Sequence, residues 1–341
     1  MTPARSFIPA ALAALLLAAG CTEPARVGPA YRRGVEALAA GSPMSAIPFL
    51  TQATAAAPDD PQARTMLALA YAIAMEPNVA VRTADGAPAG RDAPAVPGWR
   101  DIALGIAAVV RHQPDDAAEH FRRVLTADRA PDGARQTAGQ WLTLALLLKG
   151  DPDEAIESMQ NWHSLAEHNG TGTTALLWAT LIQAHLGKAP SAREGLISVA
   201  GCVAGPRRVT LPPTSRVPDL DDQNLTAAGI AAVRQDKLDD AERFFAALDA
   251  RRPNACDARV WLALLAAAQG NWDQTLERLK TAIADGPPQS RALANQLLSV
   301  ACALQNRPQA MIQHMLVGQR LRANGRAAPQ MPSPRPSPKR S

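Results

Sequence analysis

Residues Asp222–Ala255 read DQNLTAAGIAAVRQDKLDDAERFFAALDARRPNA, and the rest of the chain is organised around this unit. Its periodicity predicts two amphipathic helices, Leu225–Arg234 and Asp239–Ala250, joined by a polar turn at Gln235–Lys237. Gly229 falls midway along the first helix, where the lack of a side chain lets a second helix approach closely. Ala241, Phe245 and Leu248 share one face of the second helix by their spacing. Pro253 ends the unit, because proline cannot continue a helix and restricts the residue before it.

The same offsets recur along the chain. Val27–Asp60 carries Gly34, Gly41, Ala46, Leu50, Ala53 and Pro58, and Cys256–Gln289 carries Leu262, Ala263, Gly270, Leu279, Ala282 and Pro287. Gly98–Pro131 fits through Leu104, Gly105, Ala117, Phe121 and Val124. Weaker copies lie at Gln136–His168, Thr173–Ala200 and Arg291–Asn324, and Pro61–Met75 reads as a first helix that has lost its partner. A unit of 34 residues with this order of small, aromatic, apolar and proline positions resembles the tetratricopeptide repeat (TPR). The resemblance covers about Val27–Asn324. It implies an all-α fold, a TPR-like α-solenoid of seven to eight helical hairpins interrupted by two Pro-rich loops, and a non-enzymatic, protein-binding role.

Composition agrees with that class. The 341 residues are 47% hydrophobic, 19% charged and only 4% aromatic, a bias toward closely packed helices. The first loop, Glu76–Pro97, holds Pro77, Pro88, Pro94 and Pro97, so no continuous second helix is expected there. The second, Gly201–Asp221, holds Pro206, Pro212, Pro213 and Pro218, and separates middle repeats at 98–200 from C-terminal ones at 222–324. Either is a hinge, a binding loop or a passive insertion, and the second could divide the array into two bodies.

The two ends read as lying outside the repeats. Met1–Cys21 has a positive Arg5, an apolar run from Phe7 to Ala19 and the ending Leu17-Ala18-Ala19-Gly20-Cys21, the layout of a signal peptide. That run is too short to span a bilayer, which takes about 20 residues. The ending resembles a bacterial lipobox with Cys21 as the lipid-bearing residue, although Ala18 stands where leucine is usual; otherwise the segment is an ordinary secretory signal. Thr22 after the cysteine implies the outer membrane, with the protein facing the periplasm and repeats beginning within 22–75. Residues 325–341 are proline-rich and basic, and offer no face to bury. Without Arg5, Arg326, Arg335, Lys339 and Arg340, the 35 basic residues fall to 30 against 31 acidic. The folded part is near neutral, which argues against nucleic acid as a partner.

Catalytic chemistry finds little footing. His112, His120, His163, His168, His185 and His314 are scattered, and His163 and His168, five apart, diverge by about 140° on a helix. No metal-ligand, nucleophile or phosphate-loop motif occurs, so no catalytic residue, metal or cofactor is assigned. The acidic runs Asp115-Asp116, Asp151–Glu154 and Asp239-Asp240 sit at the starts of second helices, where they complement the helix dipole. Cys256 and Cys302 would lie roughly 16 Å apart on neighbouring helices, beyond disulfide reach, while a Cys202–Cys256 bridge stays open.

An aromatic set stands out instead. Trp141, Trp178 and Trp261 each precede the inter-helix glycine of their own repeat, Gly150, Gly187 or Gly270, by nine residues. In the resembled family that face of the first helix lines a concave peptide-binding groove. Tyr31, Leu181, Ile230 and Leu264 share it, so these seven residues are either partner-binding anchors or inter-repeat core. The resemblance further implies a scaffold for a cell-envelope machine, favouring pilus or secretion assembly over a peptidoglycan-hydrolase or polysaccharide-export adaptor. A soluble periplasmic chaperone, or an enzyme carried on the repeats, are the rival classes. The partner's identity and the oligomeric state are not encoded in any motif.

Overall fold

The computed structural model describes residues 28–86, 98–167, 172–204, 211–213, 217, 219–252, 256–285 and 288–327. Among these, sixteen helices form and no strand does. They are α1 Pro29–Ala39, α2 Pro43–Ala56, α3 Pro61–Ile73, α4 Pro77–Asp85, α5 Trp99–Val110, α6 Pro114–Thr126, α7 Asp132–Lys149 and α8 Pro152–Glu167. There follow α9 Gly172–His185, α10 Ala189–Ala204, α11 Asp222–Arg234, α12 Leu238–Arg251, α13 Cys256–Ala268, α14 Trp272–Asp285, α15 Pro288–Leu304 and α16 Pro308–Ala327. Consecutive pairs make eight hairpins, an odd-numbered first helix followed by an even-numbered second.

One turn geometry serves all eight hairpins. Just past each first helix stands one residue in the left-handed region: Gly41, Met75, His112, Gly150, Gly187, Asp236, Gly270 and Asn306, with φ between 53 and 86°. The next backbone N–H then reaches five residues back, as in Asp151 N to Leu146 O at 2.9 Å and Arg307 N to Cys302 O at 2.8 Å. These bonds satisfy carbonyls that a helix end otherwise leaves bare. Left-handed backbone strains an L-residue by roughly 1–2 kcal/mol, so glycine fills half of the turns. The other four use side chains that mask the repeat.

That masking explains a correction. Pro77 was expected to prevent a second helix, yet α4 runs Pro77–Asp85 with Pro77 in its first turn. There the missing N–H is no loss, because the first N–H groups of a helix have no internal acceptor, and the fixed φ suits the helix. The hairpin α3–α4 is therefore complete, its Met75 hiding the turn that a glycine would have announced. The second interruption is also narrower than expected. Helix α10 extends to Ala204, and Leu211, Val217 and Leu220 pack on the core. Arg251 donates to the carbonyls of Leu220 and Val217, pinning this segment to α12. Because α9 and α10 both pack on α13, the array continues across the linker.

Within a hairpin the second helix presents one face and the first is covered on several. On α6 and α12 the buried sets are Ala117, Ala118, Phe121, Val124 and Leu238, Ala241, Phe244, Phe245, Leu248. Missing side chains on the first helix receive the large ones: a β-carbon on Gly34 would come within 2.5 Å of Leu50, on Gly105 within 2.6 Å of Phe121, and on Gly229 within 2.7 Å of Phe245. The first helices form an inner layer. In α7, every residue from Trp141 to Leu147 is buried, and in α13 every residue from Leu262 to Ala268.

The inner layer closes on itself. Helix α15 packs on its neighbours α13, α14 and α16, but also on α7 and α9, three or four hairpins earlier. Helix α16 reaches α5, and Arg320 donates through Nε (2.9 Å) and Nη2 (2.6 Å) to the carbonyl of Gly41, in the first hairpin's turn. A β-carbon on Gly41 would meet Arg320 Cβ at 2.8 Å, so this seam also needs glycine.

Exposed His112 lies in strained backbone, so His112→Gly should raise stability by about 0.5–1 kcal/mol in chemical denaturation, the relief of left-handed strain exceeding the added chain entropy. Gly229→Ala should lower it by about 1–3 kcal/mol, and combining it with Phe245→Leu should cost less than the sum of the two single changes.

Candidate protein-binding face

The concave face expected to lie open is filled. Tyr31, Trp141, Trp178, Leu181, Ile230 and Leu264 are all buried, with Trp178 and Leu181 at 0% exposure. They line no accessible groove, which corrects their assignment as partner-binding anchors and leaves the core reading. For Trp141, Trp178, Leu181 and Leu264 the physical reason is the two-sided cover of α7, α9 and α13, by second helices outside and by α15 inside. The Trp141 ring stacks on Phe121 with centroids 6.4 Å apart. Trp261 alone of the seven is only half-buried, its ring lying parallel to Phe245 at 5.5 Å. Trp99, which the spacing did not single out, is among the largest fully buried side chains; it opens α5 instead of occupying the slot nine residues before a turn.

Helix α15 shows how the filling is achieved. Its side toward α16 carries small and polar residues: a β-carbon on Gly318 would approach Ala292 O, Gln296 Cγ and Asn295 Cβ within 3.0–3.4 Å. Asn295 Oδ1 also pairs with His314 Nδ1 at 3.0 Å. Its side toward α14 presents Leu298, Ala301 and Cys302, which line a pocket of about 230 Å³ with Leu276, Lys280 and His314. At 100° per residue the remaining side is Leu293, Leu297, Val300 and Leu304, an apolar stripe at i, i+4, i+7 and i+11. Leu297 and Val300 are fully buried, and the stripe is what is left to meet α7, α9 and α13.

The pocket's titratable groups are set against chemistry. Burial pushes the Cys302 thiol above its ordinary value, and the nearby positive charges of Arg307 and Lys280 only partly oppose this. A thiol held protonated is a weak nucleophile. Burial, and then the charge of Arg307, lower the His314 imidazole. His185, whose ring centroid lies 4.6 Å from that of Trp272, is lowered by burial as well. Among the described residues no three His, Cys, Asp or Glu side chains are grouped to hold a metal, and no helix is long and apolar enough to cross a membrane. Cys202 is a free, exposed thiol and Cys302 a free, buried one. Cys21 and the side chain of His163 lie outside the described residues.

The sequence profile of the tetratricopeptide repeat matches residues 31–94, 102–162 and 226–288, more than half of the chain. The chain belongs to the tetratricopeptide-repeat family. The first match spans α3 and α4, agreeing with a complete second hairpin. Among solved structures, a TPR protein from Parabacteroides merdae ATCC 43184 is 13% identical, with 87% of this chain and all of that chain covered and a TM-score of 0.31. The TPR domain of P58(IPK) is 14% identical, with 92% and 94% covered and a TM-score of 0.24. No curated protein matches. TPR arrays are protein-interaction scaffolds, and the fold is in general a non-catalytic one.

If Trp141 and Trp178 are core, replacing either with alanine should cost about 3–5 kcal/mol of folding stability, read from denaturation midpoints. Because His185 and His314 sit below the ordinary imidazole value of 6.5, the unfolded chain takes up their protons first as pH falls. Stability should be full above pH 6.5 and decline below it. The His185→Gln/His314→Gln double variant should flatten that decline.

Proposed function

We propose that this protein is a non-enzymatic adaptor, tethered to the outer membrane through a lipidated Cys21 and facing the periplasm, that assists assembly of a cell-envelope complex. A pilus or secretion apparatus is the favoured class of machine. The observation that carries the reading is the TPR array itself, an architecture that presents helices to protein partners, joined to an N-terminal segment with the layout of a lipoprotein signal. Lipidation suits an adaptor because a diacyl modification with a further chain holds a protein at the membrane, where one acyl chain binds only marginally. The seven residues between Cys21 and Pro29 span at most about 25 Å when extended, so a tethered array would stay close to the bilayer.

The test is a crosslinked pull-down from native membranes with the wild-type protein beside Cys21→Ala. Secretin, pilus or export components recovered with the wild type, and lost together with membrane association in Cys21→Ala, are the expected result. Recovery of the same partners with a Cys21→Ala protein that is fully soluble would discard the anchor and keep the scaffold. Recovery of no protein with either would reject the scaffold.

A further inference from the structure

We propose that the C-terminal hairpin α15–α16 is an exchangeable occupant of the inner face, held in place by a latch between Arg320 and the Gly41 carbonyl, and that a partner helix gains the face by replacing α15. The inference rests on the scaffold reading and deepens it by naming what stands between a partner and its surface.

Three observations lead there. The face that other first helices turn inward, on α7, α9 and α13, is packed against a single helix, whose one side turned to neither α14 nor α16 carries Leu293, Leu297, Val300 and Leu304. This is the spacing by which an amphipathic helix is read when it lies in a groove. The chemistry of a replacing partner follows: a helix with large aliphatic side chains at i, i+4, i+7 and i+11. Second, most polar contacts of α15 run within the hairpin. Asn295 pairs with His314 and Ser299 lies near Met315 Sδ of α16 at 4.0 Å, so these travel with the hairpin when it moves, and the bond that must break is the one Ser290 donates to Asp257 of α13. Third, the far end of the hairpin is joined to the first hairpin through one partly exposed arginine that bridges 279 positions of sequence. The bond is charge-assisted, its acceptor is a backbone carbonyl, and the glycine at 41 brings the backbones close enough for it. Breaking it removes nothing from the core of any hairpin.

Apparent affinity for a competing helix falls by the fraction of molecules whose face is free. Loosening the latch therefore strengthens binding in trans without touching the face itself.

The experiment uses the full-length protein and a fluorescent synthetic peptide of residues 288–304, the α15 sequence. Arg320→Ala should bind the peptide about tenfold more tightly than wild type, the size expected for loss of one charge-assisted contact. It should also speed alkylation of the buried Cys302 by about the same factor, measured in a Cys202→Ser/Cys256→Ser background. Equal peptide affinity in wild type and Arg320→Ala would overturn the latch. So would Cys302 reactivity with the denaturant dependence of whole-protein unfolding, in wild type and Arg320→Ala alike. No cellular partner is needed, so this test can fail while the pull-down succeeds, or succeed while the pull-down fails.

Discussion

Every hairpin in this protein depends on one residue reversing its backbone into the left-handed region just past the first helix. The reversal lets two N–H groups cap carbonyls that would face nothing, and it aims the second helix back along the first. Once the two helices are antiparallel, a glycine or other small residue midway along the first admits a leucine or phenylalanine from the second. The hydrophobic contact holds the pair together, but the turn decides its angle, and the angle repeats eight times. Local geometry is thereby carried into the course of the whole array.

Repetition of that angle has a consequence at long range. The course of the stacked hairpins brings α15 onto α7 and α9, α16 onto α5, and Arg320 of α16 onto the turn of the first hairpin. The inner helices α7, α9 and α13, which in an open array would show one apolar face to solvent, become covered on both sides. The tryptophans spaced nine residues before their turns are in consequence packing residues, Trp141 on Phe121 and Trp261 on Phe245. Between hairpins, ion pairs join successive second helices on the outer layer, such as Arg122–Glu154 and Arg278–Glu242, 32 and 36 residues apart. They are partly or well exposed and contribute little to stability individually; they favour register between neighbours more than cohesion.

How much of this could be read in advance follows the range of the interactions. The unit at Asp222–Ala255 was legible to within a few residues at each helix boundary, because alternation of apolar and polar positions over one or two turns is local. The hairpin α3–α4 was not, for two local reasons that mislead. Met75 stands where glycine would mark the turn, and Pro77, which breaks a helix from inside, here begins one. Met75, His112, Asp236 and Asn306 accept the same backbone strain as the glycines without announcing it.

The candidate face divides along the same line. That Trp141, Trp178, Leu181 and Leu264 belong to one side of equivalent helices was already present in their offsets from the turns, since helical periodicity places residues on a face. Whether that side meets solvent, a partner or the protein itself was not. Exposure is settled by the accumulated rotation of successive hairpins and by a contact between Gly41 and Arg320, whose partners are local to nothing in the chain. A string of residues states what each hairpin is, because the forces that form it act within some thirty residues. Only the folded array states what the hairpins enclose, because closure depends on a sum of small angles that no single repeat contains.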